Sequence, residues 1–265
     1  MKNRITTLFA NKNKNILSVY YTAGFPQIDS TVSIARCLAE GGADIIEIGI
    51  PFSDPVADGP TIQESNNVAL NNGMNLRLLL EQVKEIRKQK VEIPLILMGY
   101  LNPVMQYGME KFIRDAATAG IDGLILPDMP LHEYEENYRP LFKAENLCNT
   151  FLISPTTSEE RIRKIDEATR GFVYAVSASS ITGAKGGFQD AQIRYFERLQ
   201  KMKLENPCLI GFGISNHETF SKASAYGAGA IVGSAFINLL KSSKNLRSDI
   251  HNFIKELKGS STRSD

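Results

Sequence analysis

The stretch "DIIEIGIPFSDPVADGPTIQ", residues 44–63, runs from a short apolar segment into a loop carrying Pro51, Pro55 and Pro60 and the acids Asp54 and Asp58. Its opening, "DIIEIG" (44–49), has the length and β-branched content of a strand buried on both faces. Glu47 interrupts that run. Acids are rarely buried without a partner, and acid–base chemistry often uses two carboxylates. Side chains alternate along a strand, so Ile46 and Ile48 share one face while Ile45 and Glu47 share the other. The apolar pair suits a helix layer, which turns Glu47 toward the opposite, interior side.

Seven further runs read the same way: "ILSVYY" (16–21), "PLILMG" (94–99), "GLIL" (123–126), "NTFLI" (149–153), "FVYAV" (172–176), "CLIGFG" (208–213) and "GAIVG" (229–233). Amphipathic stretches separate them, among them "STVSIARCLAEGG", "NLRLLLEQVKEIRKQK", "MEKFIRDAATAG", "SEERIRKIDEATRG" and "NHETFSKASAYG". Several end in Gly, the common helix C-cap, and Asp29 or Ser30, Ser158 and Asn216 suit N-caps. The segments "EGGADIIEIG", "TAGIDGLILP" and "AYGAGAIVGS" repeat one junction from helix end to strand. Strands alternating with helices imply βαβ units and a parallel sheet. Eight units predict an α/β fold, a (β/α)8 TIM barrel with extra short helices, "TIQESNNVALNNG" supplying one of them. An open doubly wound sheet is the alternative.

Residues 1–265 read as a single domain with a flexible tail expected over 259–265, "GSSTRSD". "NKNKN" near the start is the other polar tract at an end. Hydrophobic residues make up 43 % of the chain, enough for a sizeable core. With 30 basic and 29 acidic residues, the net charge of +1 gives no reason to expect a nucleic-acid partner. No apolar run is long enough to span a membrane, and the first residues lack the apolar core of a signal peptide. Cys37, Cys148 and Cys208 are sparse and unpatterned, which fits reduced, packed thiols and a cytoplasmic protein.

In such barrels chemistry sits at the C-terminal strand ends. Glu47 lies there, and its competing reading is an acid satisfied by a neighbouring strand. Asp54 before Pro55 is explained by turn chemistry, and Asp58 before Gly59-Pro60 reads equally as a turn unless it shares a mouth with Glu47. "ITGAKGG" (181–187), "GFGIS" (211–215) and "GSA" (233–235) follow the last three strands. Glycines let backbone N–H groups approach an anion, and late barrel loops with a short extra helix, here "SAFINLLK", commonly hold phosphate. Plain tight turns are the alternative. Tyr20, Met98, Ile125 and Tyr174 fall near strand ends, as pocket lining or as caps of the core. The three histidines are scattered, and no metal-ligand cluster, Walker loop or dinucleotide fingerprint is present.

Taken together, "EIGIPFSDPVADGPTIQ", "YYTAGFP", "LMGYLNP", "LPDMP", "ITG", "GFGIS" and "IVGSA" resemble the tryptophan synthase α-subunit family over essentially the whole chain. The resemblance implies retro-aldol cleavage of indole-3-glycerol phosphate to indole and glyceraldehyde 3-phosphate. It implies that Glu47 moves protons at the reacting carbons, that Asp58 binds the indole N–H, and that Tyr174 stands beside the glutamate as the third catalytic-site residue. Tyr20, Met98 and Ile125, with Phe212 and Ile231, match the indole pocket. Thr182 and Gly183, Gly211 and Gly213, and Gly233 and Ser234 match the loop and phosphate cradle, with Lys185 as an assisting cation. The chain departs from the pattern at Ser180, where many relatives have glycine. The family needs no cofactor in this chain; pyridoxal phosphate belongs to a separate β subunit, and an α2β2 heterotetramer is implied. A free-standing lyase, or an inactive barrel regulating the β partner, are the other readings.

Overall fold

Each of the eight apolar runs forms a parallel strand, and the fifth is interrupted once. The computed structural model describes residues 3–177, 189–211 and 213–259. The strands are β1 (Ile16–Thr22), β2 (Ile45–Gly49), β3 (Leu95–Met98), β4 (Gly123–Ile125), β5 (Cys148–Thr150), β6 (Leu152–Ile153), β7 (Val173–Val176), β8 (Cys208–Gly211) and β9 (Gly229–Val232). Their order is β5-β4-β3-β2-β1-β9-β8-β7-β6, all parallel. β5 pairs with β4 and β6 with β7, so the two ends of this order meet at Phe151. The Phe151 carbonyl accepts from Tyr174 N–H at 3.0 Å. An open sheet would leave its edges apart. The barrel is closed around an eightfold alternation.

The expected amphipathic stretches are helices Ser30–Gly41, Leu76–Lys88, Met109–Ala119, Glu159–Ala168 and His217–Tyr226. Ser158 accepts from Arg161 N–H and Asn216 from Thr219 N–H, satisfying first-turn donors as N-caps do. Asp29 occupies its N-cap position without a side-chain bond. Gly42 and Gly120 end their helices in the left-handed region, at φ of 92° and 102°. Extra helices follow β2 (Pro60–Asn71), β3 (Leu101–Tyr107) and β9 (Ser234–Ser242).

Two apolar clusters separate the faces of the sheet. Leu17, Val19, Tyr21, Ile46 and Ile48 pack outward with the helices, while Ile16, Ile45, Ile96, Ile125, Tyr174 and Ile231 fill the interior. The alternation read from residues 45–48 is therefore the one observed.

The sequence reading did not anticipate helix Arg4–Asn11, which closes the N-terminal end of the barrel. Its Ile5 is fully buried in the interior cluster. Asn3 caps it through Ile5 N–H and donates to the carbonyls of Asp122 at 2.8 Å and Asn146 at 2.7 Å. Asp122 accepts from Arg87 at 2.6 Å, from Arg4 at 3.2 Å and from Leu95 N–H at 2.9 Å. "NKNKN" is not a loose end. It is the turn into β1, with Asn15 at φ 54° and Lys12 paired to Asp44 at 2.6 Å. Gly259 closes the last helix, Leu246–Lys258, and the rest of the expected tail lies outside the described residues.

Ile5 is the plug of this end, and truncating a buried Ile costs about 2–5 kcal/mol. Ile5→Ala is expected to lower stability by about that amount in urea unfolding, whereas truncation of the half-exposed Leu8 should cost less.

Candidate active site

The inner face of β1 runs Ile16, Ser18, Tyr20, Thr22 from core to mouth, because side chains on one face recur every second residue. Tyr20 is in register with Glu47 of β2, and Gly49 with Met98 of β3, which in turn is in register with Ile125 of β4. Register thus gathers four of the expected residues along adjacent strands. Ile125, Tyr174 and Ile231 are buried in the interior cluster and Met98 packs against it.

Two tyrosines fold over glycines of the strand ends. A Cβ on Gly49 would collide with the Tyr20 hydroxyl, and one on Gly211 with the Tyr174 hydroxyl. Glycine at these two positions leaves the space that the two phenol ends occupy.

Glu47 is completely buried. Its Oε1 accepts a hydrogen bond from Ser18 Oγ at 2.6 Å, and its Oε2 has no partner among the described residues. Burial pushes its pKa up to about 7, with the Ser18 hydroxyl pulling the other way. Asp58 is half-buried in the loop after β2. Burial raises its pKa too, and the Tyr100 hydroxyl opposes the rise. The same hydroxyl accepts from Ala57 N–H at 3.1 Å, and the Tyr100 ring lies 5.3 Å from that of Phe52. Tyr20 and Tyr174 have pKa values raised first by burial, then by the charges of Asp58 and Glu47. Both acids are therefore near both tyrosines, and the phenols are neutral at ordinary pH. Glu47 and Asp58 share one mouth.

Helix Pro60–Asn71 begins directly after Asp58, with Gly59 as N-cap and Pro60 at its first position. Gln63 Nε2 donates to the Asp58 carbonyl at 2.8 Å. Ser65 of the same helix and Thr22 form a buried hydroxyl pair at 2.6 Å, anchoring the helix to β1.

On the far side, Gly211 ends β8, Gly213 has φ of 76°, and Gly233 is the N-cap of helix Ser234–Ser242. Gly233 carries no side-chain cap, so the first N–H groups of that helix face the mouth as donors. Among the described residues, the atoms nearest to a Cβ at Gly233 would be those of Tyr20, at ordinary contact distances of 3.6–3.9 Å. Thr182, Gly183, Phe212, Ser180 and Lys185 lie outside the described residues. Sequence reasoning missed Ser18 and Tyr100. Ser18 had a signal, being a small polar residue one step before Tyr20 on the inner face of an apolar strand, whereas Tyr100, inside "LMGYLNP", carries no local mark of its contact with the loop after β2.

A depression between Lys14, Gln200, Lys203 and Tyr226 opens at the opposite end of the barrel, and no carboxylate lines it. Among the described residues no group of three or more His, Cys, Asp or Glu side chains could hold a metal ion. No helix among them is long and apolar enough to cross a membrane. Cys37 and Cys148 are buried free thiols, while Cys208, expected to be buried, is partly exposed at the start of β8.

The family model for the tryptophan synthase alpha chain matches residues 7–262. The chain belongs to the tryptophan synthase α-chain family. A tryptophan synthase alpha chain of Flavobacterium psychrophilum is 53 % identical, over 93 % of this chain and 96 % of its own length. The crystal structure of the tryptophan synthase subunit alpha from Legionella pneumophila superposes with a TM-score of 0.88 at 33 % identity, covering 98 % of both chains. A Mycobacterium tuberculosis tryptophan synthase structure gives 0.87 at 32 % identity, again over 98 % of both. The activity is that of the family: a carbon–carbon lyase that cleaves indole-3-glycerol phosphate to indole and glyceraldehyde 3-phosphate.

Glu47 ionises near 4.5 when unperturbed and near 7 in the fold. A pKa raised by folding means that the native state holds the proton more tightly than the unfolded chain. The stability contributed by protonated Glu47 is therefore lost as pH rises from about 4.5 through about 7. The full difference corresponds to about 3 kcal/mol. Glu47→Gln cannot ionise, so its stability relative to wild type should climb with pH, by about 2–3 kcal/mol between acid and alkaline buffers in urea unfolding.

Proposed function

We propose that Glu47 carries the protons of the cleavage and that Asp58 stabilises the charge it creates. The observation behind this is a fully buried carboxyl with a pKa of about 7 and one oxygen without a partner among the described residues, sharing a mouth with a second acid. A group that titrates near neutrality can serve as acid and then as base. Protonated Glu47 delivers its proton to indole C3, which places positive charge on the ring nitrogen. Asp58 accepts a hydrogen bond from the ring N–H and offsets that charge. The carboxylate of Glu47 then takes the proton of the glycerol hydroxyl next to C3. The O–H electron pair becomes the aldehyde C=O, the C–C bond breaks, and its electrons neutralise the ring. Glu47 ends with its proton restored.

Tyr20, Met98, Ile125, Tyr174 and Ile231, with Phe212, enclose the indole. Backbone N–H groups at Gly211, Gly213, Gly233 and Ser234 hold the phosphate, with Thr182 and Gly183 and assistance from Lys185. The "GFGIS" and "IVGSA" loops contain no Lys or Arg, so backbone donors and the helix dipole do most of this binding. This half-reaction uses no cofactor in this chain.

Removing a positioned acid–base group costs about 10²–10⁴-fold. Glu47→Gln should lose indole release by at least that factor while remaining folded, and a variant keeping a tenth of wild-type turnover would remove Glu47 from the mechanism. The ring cation exists only transiently, so Asp58→Asn should lower kcat sharply with little change in KM. A pure KM effect would count against the electrostatic role.

The same mouth is the docking face for a pyridoxal-phosphate β subunit in an α2β2 assembly, working in the cytoplasm. Val56, 88 % exposed, and Met105, 60 % exposed, stand out as exposed large hydrophobics, and both follow strands at the mouth. Pro51 to Pro55 precede Val56 in its loop, Asn102-Pro103 share helix Leu101–Tyr107 with Met105, and Asp128-Met129-Pro130 follow β4 at the same end; proline lowers the ordering cost of association. The 51–60 loop also carries Asp58, so docking acts on a catalytic group directly. Couplings between such sites are about 1–3 kcal/mol. Val56→Asp and Met105→Asp should weaken activation by the β protein more than basal cleavage. High basal turnover with no complex in light scattering would instead favour a free-standing lyase.

A further inference from the structure

We infer that Ser18 is a positioning residue for the cleavage: its hydroxyl holds Oε1 of Glu47, so that Oε2 is the oxygen that exchanges protons with the substrate. The inference rests on the reading of Glu47 as proton carrier and goes beyond it by naming the oxygen and what selects it. Both side chains are completely buried and 2.6 Å apart, the ordinary length of a charge-assisted hydroxyl–carboxylate bond. A serine hydroxyl has one proton, and here it points at Oε1. With Oε1 engaged as acceptor, the acid proton of Glu47 resides on Oε2, the oxygen with no partner among the described residues.

The choice of partner matters as much as the contact. A cation in place of Ser18 would hold the carboxylate ionised and abolish its acid form. With no donor at all, the buried group would stay protonated and lose its base form. A neutral hydroxyl lies between these limits and leaves both forms accessible near neutrality. Among the described residues, the other titratable groups around Glu47 are Tyr20 on β1, Tyr174 on β7 and Asp58 after β2. The two phenols stay neutral, so neither supplies a competing charge.

The test uses the full chain in three variants, Ser18→Ala, Ser18→Thr and Glu47→Gln. The Glu47 carboxyl is titrated by ¹³C NMR, with Glu47→Gln assigning its signal. Indole release is followed as kcat and KM against pH. In Ser18→Ala the Glu47 midpoint should move to higher pH, the pH profile of kcat should move with it, and kcat at neutral pH should fall about tenfold with KM little changed. Ser18→Thr keeps the hydroxyl and should restore both. If Ser18→Ala leaves midpoint and kcat at wild-type values, or lowers kcat without moving the midpoint, the positioning role is overturned. An active Glu47→Gln would overturn the reading of Glu47 instead, which is a different result from an inactive Glu47→Gln beside an unaltered Ser18→Ala.

Discussion

The mouth of this barrel is arranged around one carboxyl group that solvent does not reach. Glu47 loses its hydration on folding and receives a single hydroxyl in return. Burying an acid is costly unless it is paired, and the remaining cost appears as a raised pKa rather than as a rearranged structure. The contrast with Asp122 at the other end is instructive. That acid is also buried, but Arg4 takes one of its oxygens while Arg87 and Leu95 N–H take the other. Asp122 fastens the N-terminal helix to the barrel floor. Glu47, with one oxygen lacking a partner among the described residues, fastens no such element.

Much of this arrangement is legible in the amino-acid sequence. Period-two alternation in "DIIEIG" assigned Ile46 and Ile48 to the helix layer and Glu47 to the interior, because a strand allows only two sides. Eight apolar runs separated by helices implied closure, and the family resemblance fitted the same strand ends. What could not be read were contacts between residues far apart in sequence. Ser18 and Glu47 meet only because β1 and β2 pair in a particular register. Helix Arg4–Asn11 has a short apolar stripe, "ITTLF", whose burial depends on the barrel floor that receives it. The break at Phe151 is likewise a matter of closure geometry, since one apolar run serves both β4 and β7. The polar "NKNKN" looked loose because nothing local shows that Asp44 waits for Lys12.

The loops at the mouth are also held from behind. Thr22 and Ser65 fix helix Pro60–Asn71 to β1 through a bond between fully buried hydroxyls. The Ser65 hydroxyl also donates to the Ile62 carbonyl at 2.8 Å, so its single proton is committed there and Thr22 must be the donor of the pair. Glu64 of the same helix pairs with Lys241 of helix Ser234–Ser242. The segment that presents Asp58 and the helix end that presents backbone donors are therefore tied to each other by the helices behind them. An exposed ion pair contributes little stability, and a buried hydroxyl pair contributes more by being expensive to break. Anchoring of this kind fixes where the loop after β2 begins and ends, and the Tyr100 hydroxyl and ring, against Ala57 and Phe52, steady the part between that carries Asp58.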